Sequence, residues 1–448
     1  MRKLLVLCSL IVTSLLCMPL SAEVISSEYA LETANTFLTL DNEWHGVTDA
    51  NVQLVKHEGT PAYYVIEYTE GGWAIVSAQS TSNPIIGYST VGEYATPEPM
   101  KQLLDINAQS IVARAQEKKT VEHKDWKRIR DRKAPRSENL TPDVAPLIKI
   151  NLDQSAPFNS YCPEIDGEKC LVGCVAIAMT QALMVQRYPY APKGKHTYYE
   201  NETKSRSINY DKEKPYDWDA MYNGNTDEIA RLAYHCGVSV DMMYSLTASG
   251  TITELVATAL PRNFGYDANV VRYVKKTSEI ELWLNTILTE LSEGRVVVYR
   301  GQSGSAGHCW NVDGWKQSTQ MVHCNWGWGG IGNGYFNINN MTDSYQDLDF
   351  RSGHSAVVGI GAPTTTPYDI LLSKTQYALG AEPGTVLADV KVLCGDKDAT
   401  YDYELFSIKD NDNNTISPYS IENNQLITTE TITNDNAFKY VYIKVTNT

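Results

Sequence analysis

Positive charge is scarce in this sequence. Of its 448 residues, 38 are Lys or Arg and 53 are Asp or Glu, which gives a formal net charge of −15. Proteins that bind nucleic acid need a basic surface to meet the phosphates, so this balance argues against such a partner. Beyond the N-terminus the sequence also lacks an apolar run long enough to cross a bilayer, and we expect no membrane span.

Motifs that bind metals are missing as well. The chain has no pair of CxxC motifs and no cysteines and histidines at the spacing of a zinc site. The dipeptides His308-Cys309 and His323-Cys324 come closest, but neighbouring residues of a strand point to opposite faces, so each dipeptide could offer only one ligand to a site. We therefore expect no metal site and no cofactor for the chemistry.

Cysteine occurs in an odd number once the N-terminus is set aside. Two of the nine cysteines, Cys8 and Cys17, lie in the first 22 residues, which leaves seven. In that segment two basic residues precede an apolar run from Leu4 to Leu16, and small residues follow, as in an export signal. We predict that residues 1–22 are a cleaved signal peptide and that at least one remaining thiol is unpaired within the chain.

The region 23–145 combines two kinds of sequence. It opens with a predicted helix from Ala30 to Leu40 and a predicted hairpin around Gly71-Gly72. A basic stretch, 118–136, follows and is interpreted as a solvated helix and a linker. Because that stretch is polar and broken by turn-forming residues, it is also a good site for proteolysis.

The rest of the chain divides again. Residues 146–363 carry the patterning of a compact domain, and Pro363–Pro367 (Pro-Thr-Thr-Thr-Pro) predicts an extended linker. Residues 368–448 alternate β-branched and aromatic runs with turn residues, which predicts a small β-sandwich. Its acidic turns, such as Asp396-Lys-Asp398, could bind calcium, although solvated turns explain them as well.

Cys174 is the candidate nucleophile. It follows Gly173 and begins a run rich in Ala, Leu, Met and Gln, which predicts a helix that Pro189 closes. A thiol in the first turn of a helix lies in the positive field of the helix dipole, so we expect its pKa to fall and its reactive thiolate to form. A small buried residue at the start of a core helix would give the same local pattern.

His308 is the candidate general base. It opens a predicted strand, His308–Trp315, and a second predicted strand, Met321–Trp326, follows after a short turn. A hairpin of these strands would bring Asn325 near His308, and an amide oxygen can hold the second ring nitrogen of a catalytic histidine. Taken alone, His308 would more often be a structural histidine.

Gln154 is the candidate oxyanion donor. Its side-chain amide and the backbone N–H of Cys174 could together stabilise the negative charge that develops in acyl transfer. Taken alone, Gln154 is a typical surface glutamine.

Together these segments resemble the streptopain family of bacterial cysteine proteases, which includes the interpain-type enzymes. The motifs keep the order and spacing of that family, and the region 23–117 resembles its pro-domain. The matching segments are Asp153-Gln-Ser-Ala-Pro-Phe-Asn159, Gly173-Cys-Val-Ala-Ile-Ala-Met179, Gly307-His308 with Asp313-Gly-Trp315, Asn325-Trp-Gly-Trp-Gly-Gly330, Ser355-Ala-Val-Val-Gly-Ile360, Gly72-Trp-Ala-Ile-Val-Ser-Ala78 and Pro84-Ile-Ile-Gly-Tyr88.

The resemblance implies an α+β chain with three folded parts. A papain-like cysteine protease domain would span 146–363, with an inhibitory α+β pro-domain and linker at 23–145 before it and the small β-sandwich of 368–448 after it. The implied function is that of a bacterial cysteine endopeptidase, secreted or held in the periplasm or at the cell surface. It would be made as a zymogen, act on polypeptides and be inhibited by its own pro-domain.

The resemblance also assigns roles to residues. Cys174 would be the nucleophile, His308 the base and Gln154 the oxyanion donor. Asn325 would orient His308, and Trp326 would shield that hydrogen bond from water.

One departure from the family concerns Cys309 and Trp310, which stand where it usually has small or aromatic apolar residues. The shape of the neighbouring pocket, and hence the substrate preference, is therefore left open. A second hypothesis is a catalytically silent binding or adhesion protein on the same scaffold, which would have no need for the four polar residues of the site together.

Overall fold

A computed structural model of the chain describes most of the protein from residue 24 onward. The predicted signal peptide, the linker Pro363–Pro367 and the acidic turn 396–398 lie outside the described residues. The ranges described are 24–117, 121–133, 141–201, 204–277, 279–303, 306–337, 354–362, 369–373, 379–393, 401–406, 408–409, 415–416, 418–433 and 442–447.

Residues 24–133, here called the N-terminal region, form an antiparallel sheet with helices packed on it. The predicted opening helix and the predicted hairpin around Gly71-Gly72 are confirmed. The elements are α1 (Ser27–Leu38), β1 (Ala50–His57), β2 (Thr60–Tyr68), β3 (Trp73–Ser77), β4 (Ile85–Ser89), α2 (Glu98–Ala115) and α3 (Lys124–Arg130).

Helix α3 is not the solvated helix that its basic composition suggested. Trp126 is fully buried, and its ring stacks on Tyr29 with the centroids 5.7 Å apart. Its Nε1–H donates to the carbonyl oxygen of Ser82 at 2.9 Å. Because Trp126 and Ile129 give the helix one apolar face, α3 packs onto the N-terminal region while its basic side chains remain outside.

Residues 141–362, here called the central region, contain the candidate site. The predicted helix after Cys174 and the predicted hairpin of two strands around residues 308–326 are both present. The elements are β5 (Glu164–Ile165), β6 (Glu168–Lys169), α4 (Cys174–Gln186), β7 (Lys195–Asn201), β8 (Lys204–Asn209), a 3-10 turn (Tyr210–Lys212), α5 (Trp218–Tyr222), α6 (Thr226–Ser239), α7 (Leu255–Phe264), β9 (Arg272–Lys275), α8 (Ile280–Ser292), β10 (Val297–Ser303), β11 (Ala306–Lys316), β12 (Met321–Asn325), β13 (Gly334–Phe336) and β14 (Ser355–Val358).

The two regions share one sheet. Its ten strands run in the order β1-β2-β3-β4-β13-β12-β11-β10-β14-β9, so β4 of the N-terminal region pairs with β13 of the central region. Gly87 lies opposite Phe336 in this pair, and a Cβ at Gly87 would stand 2.6 Å from the Phe336 ring. Strand pairing and ring packing therefore join the two regions directly.

Both faces of the central strands are covered by helices. Helices α4, α6 and α7 form a core on one face, called here the α4 face, with Val298, Cys309 and Val357 of the sheet. Helices α2 and α8 cover the other face, called here the α2 face, with Tyr299 and Trp310. Since α2 comes from the N-terminal region, that region covers part of the central sheet. The mixture of helices and antiparallel strands confirms the predicted α+β class.

A buried lysine holds the two regions together by charge. Lys316, at the end of β11, is 3% exposed, and its Nζ lies 3.4 Å from Asp41 and 3.1 Å from Glu43 of the N-terminal region. Asp143 lies 3.6 Å away on the other side. Burial alone would lower the pKa of Lys316, but the hydrogen bond to Glu43 and the three carboxylates raise it, so the amine stays charged.

The described residues of the tail are all strand and turn. A four-stranded sheet, β15-β16-β21-β20, packs against Tyr403, Leu405 and Ile443 of the paired strands β17 and β22, as the two layers of a small sandwich do. Among the helices that the structure describes, none is long and apolar enough to cross a membrane. The strands are β15 (Asp369–Leu372), β16 (Val386–Leu393), β17 (Tyr401–Phe406), β18 (Ile408–Lys409), β19 (Thr415–Ile416), β20 (Tyr419–Glu422), β21 (Gln425–Thr428) and β22 (Tyr442–Asn447).

The carboxylates around Lys316 should differ in how much they stabilise the protein, and two matched substitutions test this. Asp41→Asn should lower the free energy of unfolding of the whole chain by about 2 kcal/mol or more, because it leaves a buried cation short of its buried partner. Glu43→Gln is the matched control, since the Glu43 side chain is 58% exposed, and should cost less than about 1 kcal/mol. Urea unfolding followed by tryptophan fluorescence measures both, and equal effects would contradict a structural role for the buried pair.

Candidate active site

Helix α4 begins at Cys174 because Gly173 makes the turn that precedes it. Gly173 has φ 93°, a conformation that favours glycine, and a Cβ there would stand 2.7 Å from the side chain of Met242. The helix has no side-chain cap at this end. The first N–H groups of α4, including that of Cys174, are therefore free of a capping side chain and can serve another acceptor.

The Cys174 thiol lies beside the strand of the candidate base. It packs against the apolar core of the α4 face, which also contains Cys309 of β11. Burial raises the pKa of the Cys174 thiol, although the N–H groups of Cys309 and Val175 act in the opposite direction. The expected fall in this pKa is therefore wrong for the chain in this state, because desolvation outweighs the field of the helix.

Strand β11 directs His308 away from Cys174. Its pairing with β10 is unbroken from Ala306 to Val312, so side chains alternate between the two faces along this stretch. Cys309 lies in the core of the α4 face and Trp310 in the core of the α2 face. By alternation the His308 side chain leaves the strand on the α2 face, and no hydrogen bond joins it to Cys174 in the part of the chain described here.

The surroundings of His308 agree with this placement. The side chain is half-buried, and burial lowers the pKa of its imidazole. The charge of Glu98, the first residue of α2, raises that pKa again. The charge that raises the pKa of the candidate base is thus a carboxylate of the N-terminal region.

Gln154 lies next to the start of α4. Its backbone oxygen accepts a hydrogen bond from the N–H of Val172 at 2.8 Å, which ties residue 154 to the segment that leads into Cys174. Its side chain is half-buried and makes no hydrogen bond with any other described residue. The backbone of residue 154 is therefore held near the start of α4, and none of the described hydrogen bonds uses its side-chain amide.

Asn325 ends strand β12 and Trp326 follows it, and the two side chains lie on opposite faces of the sheet. Asn325 is opposite Asn311 in the hairpin and turns toward α4, where its Oδ1 accepts from Gln181 at 3.2 Å. Trp326 lies in the core of the α2 face, with its ring 5.2 Å from that of Trp310. The structure describes no hydrogen bond between Asn325 and His308.

Two buried amides at the site were missed by the sequence analysis. Gln181 of α4 is 1% exposed, Asn311 of β11 is 0% exposed, and the two are joined by a hydrogen bond of 3.0 Å. Gln181 lies two helical turns beyond Cys174, so it points to the same side of α4. That spacing, together with an asparagine on the candidate base's own strand, was the available signal.

The arrangement contains the parts of an acyl-transfer site in an unassembled form. The Cys174 thiol and uncapped N–H groups lie at the start of α4, and the backbone of Gln154 is bonded to the segment just before it, while the imidazole lies on the other face of the adjoining strand. A nucleophile and a base must come within hydrogen-bond reach to work together. In this state the described geometry separates them.

Comparison with family models divides the chain in the same way. Residues 152–336 match the model of the Peptidase C10 family. Residues 22–111 match a model described as a Spi protease inhibitor. The first match contains all of the predicted site residues, and the second lies within the N-terminal region apart from its first two positions.

Individual relatives are similar over most of the chain. Streptopain of Streptococcus pyogenes is 28% identical over 331 residues, which cover 66% of this chain and 80% of streptopain. A thiol protease/hemagglutinin of Porphyromonas gingivalis is 28% identical over 381 residues, which cover 77% of this chain and 43% of that protein. The solved structure of a Prevotella intermedia prointerpain A fragment superposes with a TM-score of 0.58 at 24% identity, covering 70% of this chain and all of the fragment, and this likeness concerns the fold.

The raised pKa of Cys174 predicts the alkylation behaviour of the precursor. Iodoacetamide should modify Cys174 slowly at neutral pH and faster as pH rises beyond the usual cysteine value of about 8.5, because only the thiolate reacts. Mass spectrometry of the peptide that contains Cys174 gives the rate at each pH. A precursor carrying His308→Gln should show the same profile, since the imidazole does not contact the thiol. Fast alkylation at neutral pH that His308→Gln abolishes would show a thiolate–imidazolium pair already formed.

Proposed function

Because this chain belongs to the Peptidase C10 family and is a cysteine protease with an inhibitor-like prodomain, we propose that it is an exported endopeptidase in which Cys174 and His308 hydrolyse peptide bonds once the prodomain is removed. The substrates are polypeptides, and the inhibitor is the N-terminal region of the same chain. The observation that carries the proposal is the meeting of Cys174, the His308–Cys309 peptide and Gln154 at the start of α4.

The proposed reaction passes through a thioester. The Cys174 thiolate attacks the carbonyl carbon of the scissile peptide bond, and the oxygen becomes an oxyanion that accepts from the N–H of Cys174 and the amide of Gln154. Protonated His308 gives its proton to the leaving amine as the C–N bond breaks. It then takes a proton from water, which attacks the thioester, and cleavage of the C–S bond releases the second product and restores the Cys174 thiolate beside protonated His308.

The precursor is proposed to be inactive because His308 is on the wrong face of β11. To reach Cys174, the chain at residues 308–309 must turn over, so that His308 replaces Cys309 on the α4 face. Helix α2 and Glu98 lie on the α2 face and favour the present arrangement. Removal of the N-terminal region would take this packing and this charge away together.

The cut that frees the enzyme is proposed to lie between Lys133 and Thr141. From Thr141 onward the chain is bonded to the central region, since Val144 and Trp315 exchange two backbone hydrogen bonds of 2.8 Å. The N–H of Leu147 donates to the oxygen of Asp313 at 2.9 Å. Residues after the cut would thus stay with the enzyme.

Substitution of the nucleophile tests the reaction. Cys174→Ala should abolish hydrolysis of a denatured polypeptide, while Cys236→Ala, which removes a buried thiol of the same core, should retain it. Circular dichroism establishes that both variants are folded. A Cys174→Ala protein that cleaves at the wild-type rate would contradict the assignment, and a folded wild-type protein without activity after removal of the prodomain would favour a silent binding protein.

Processing tests the zymogen. If the enzyme matures itself, the Cys174→Ala chain should accumulate as full-length precursor after loss of the signal, and added wild-type enzyme should trim it. N-terminal sequencing should then place the new end between Lys133 and Thr141. A fully active form that still begins near Glu23 would show that the N-terminal region is not an inhibitor.

A further inference from the structure

A series of three buried side-chain amides, joined by hydrogen bonds, links helix α4 to the hairpin of β11 and β12. Gln181, Asn311 and Asn325 are each at most 1% exposed. Asn311 bonds to Gln181 at 3.0 Å, and Gln181 bonds to Asn325 at 3.2 Å. Each side chain comes from a different element, so the three amides lie between the helix that carries Cys174 and the strands that carry His308 and Asn325.

At one end of this series of amides, a main-chain carbonyl oxygen fixes the orientation of the Asn311 amide. Asn311 donates Nδ2–H to the carbonyl oxygen of Ala178 at 3.1 Å and to Oε1 of Gln181 at 3.0 Å. A carbonyl can only accept, so Asn311 must present its NH2 group at this place. Gln181 must then present its oxygen to Asn311 and its NH2 group to Asn325.

At the other end of the series, a main-chain N–H fixes the orientation of the Asn325 amide. The N–H of Gly327 donates to Oδ1 of Asn325 at 3.1 Å, on the same oxygen that accepts from Gln181. A backbone N–H can only donate, so both ends demand the same orientation of the Asn325 amide. Its Nδ2 points the other way and donates to Oδ1 of Asn151 at 3.0 Å.

From this arrangement we propose that Gln181 and Asn311 are positioning residues of the protease, which hold the oxygen of Asn325 ready to accept a hydrogen bond from His308. The proposal rests on the proposed function and adds two residues to it. The hydrogen bonds described for Gln181 and Asn311 do not include Cys174, so we place their action on Asn325.

The place of the oxygen suits this role. Asn325 lies on the α4 face of the hairpin, where Cys174 lies and where His308 must arrive for catalysis. Its two present hydrogen bonds, 3.1 and 3.2 Å, are at the long end of the usual range. An imidazolium N–H makes shorter and stronger bonds than these neutral donors, so it can compete with them for the two lone pairs of this oxygen.

A merely structural role for the amides makes a different prediction. If they only fasten α4 to the sheet, their loss lowers stability and leaves the turnover of the folded enzyme unchanged. If they act through Asn325, their loss lowers kcat, and it has no further effect when Asn325 itself is absent. A double-mutant cycle separates the two cases.

The experiment compares Gln181→Met, Asn325→Ala and the double variant, with Gln186→Met as matched control. Gln186 is on the same helix and its amide is bonded to Gly294 and Ala362, away from the site. Each full-length precursor is matured by immobilised wild-type enzyme, which is then removed, and active sites are counted with a thiol-directed inhibitor. We expect Gln181→Met to lower kcat by roughly tenfold with KM changed less than about twofold, and the double variant to match Asn325→Ala.

Three results would overturn the inference. An unchanged kcat in Gln181→Met, or effects of Gln181→Met and Asn325→Ala that multiply in the double variant, would make the amides structural. A wild-type kcat in Asn325→Ala would remove the orienting role itself, yet leave the chemistry of Cys174 and His308 standing. Loss of activity in the wild type, by contrast, is a failure of the proposed function and is measured separately.

If Gln181→Met does not fold, a second variant at the same position tests the inference. Gln181→Glu keeps the shape of the side chain and can donate to Asn325 only while its carboxyl group is protonated. Its kcat relative to wild type should therefore fall as pH rises, and Gln186→Glu should show no such fall. Equal pH profiles of the two glutamate variants would overturn the inference.

Discussion

Successive side chains of a β-strand point to opposite faces of the sheet, and in β11 this geometry decides which side chain lies beside Cys174. Either His308 or Cys309 can face α4, but not both. In the described structure Cys309 faces α4 and lies in the core against which Cys174 packs, and His308 is directed toward the prodomain. A shift of one residue in this short segment is enough to exchange the two side chains.

The prodomain is attached in a way that stabilises this choice. Its strand β4 extends the sheet of the central region, its helix α2 covers one face of the central strands, and its Asp41 pairs with the buried Lys316. None of these contacts needs to touch Cys174, because they act on the sheet that carries His308. Tethering keeps the contacts at high effective concentration, so a single cut in the connecting chain weakens all of them together.

The sequence predicted the fold and the elements that carry the candidate site residues well, and the arrangement of those residues poorly. Helix α4 and the hairpin of β11 and β12 follow from local patterns, since an Ala- and Met-rich run closed by Pro189 and two alternating strands leave few other structures. The face on which His308 lies does not follow from such patterns, because it depends on the register of β11 against β10. The raised pKa of Cys174 depends likewise on burial by distant segments, which no local pattern contains.

Packing of the basic helix α3 was missed for a similar reason: the partners of Trp126, Tyr29 and Ser82, are far away in the sequence.

The roles of the five predicted site residues stay proposals. The central proposal is that His308 and Cys309 exchange faces of β11 when the enzyme matures. The most direct test is a crystal structure of the matured, active enzyme. Our account predicts that His308 then lies on the α4 face with a ring nitrogen within hydrogen-bond reach of the Cys174 thiol. An active enzyme in which His308 still lies beside Trp310, with Cys309 against Cys174, would contradict it.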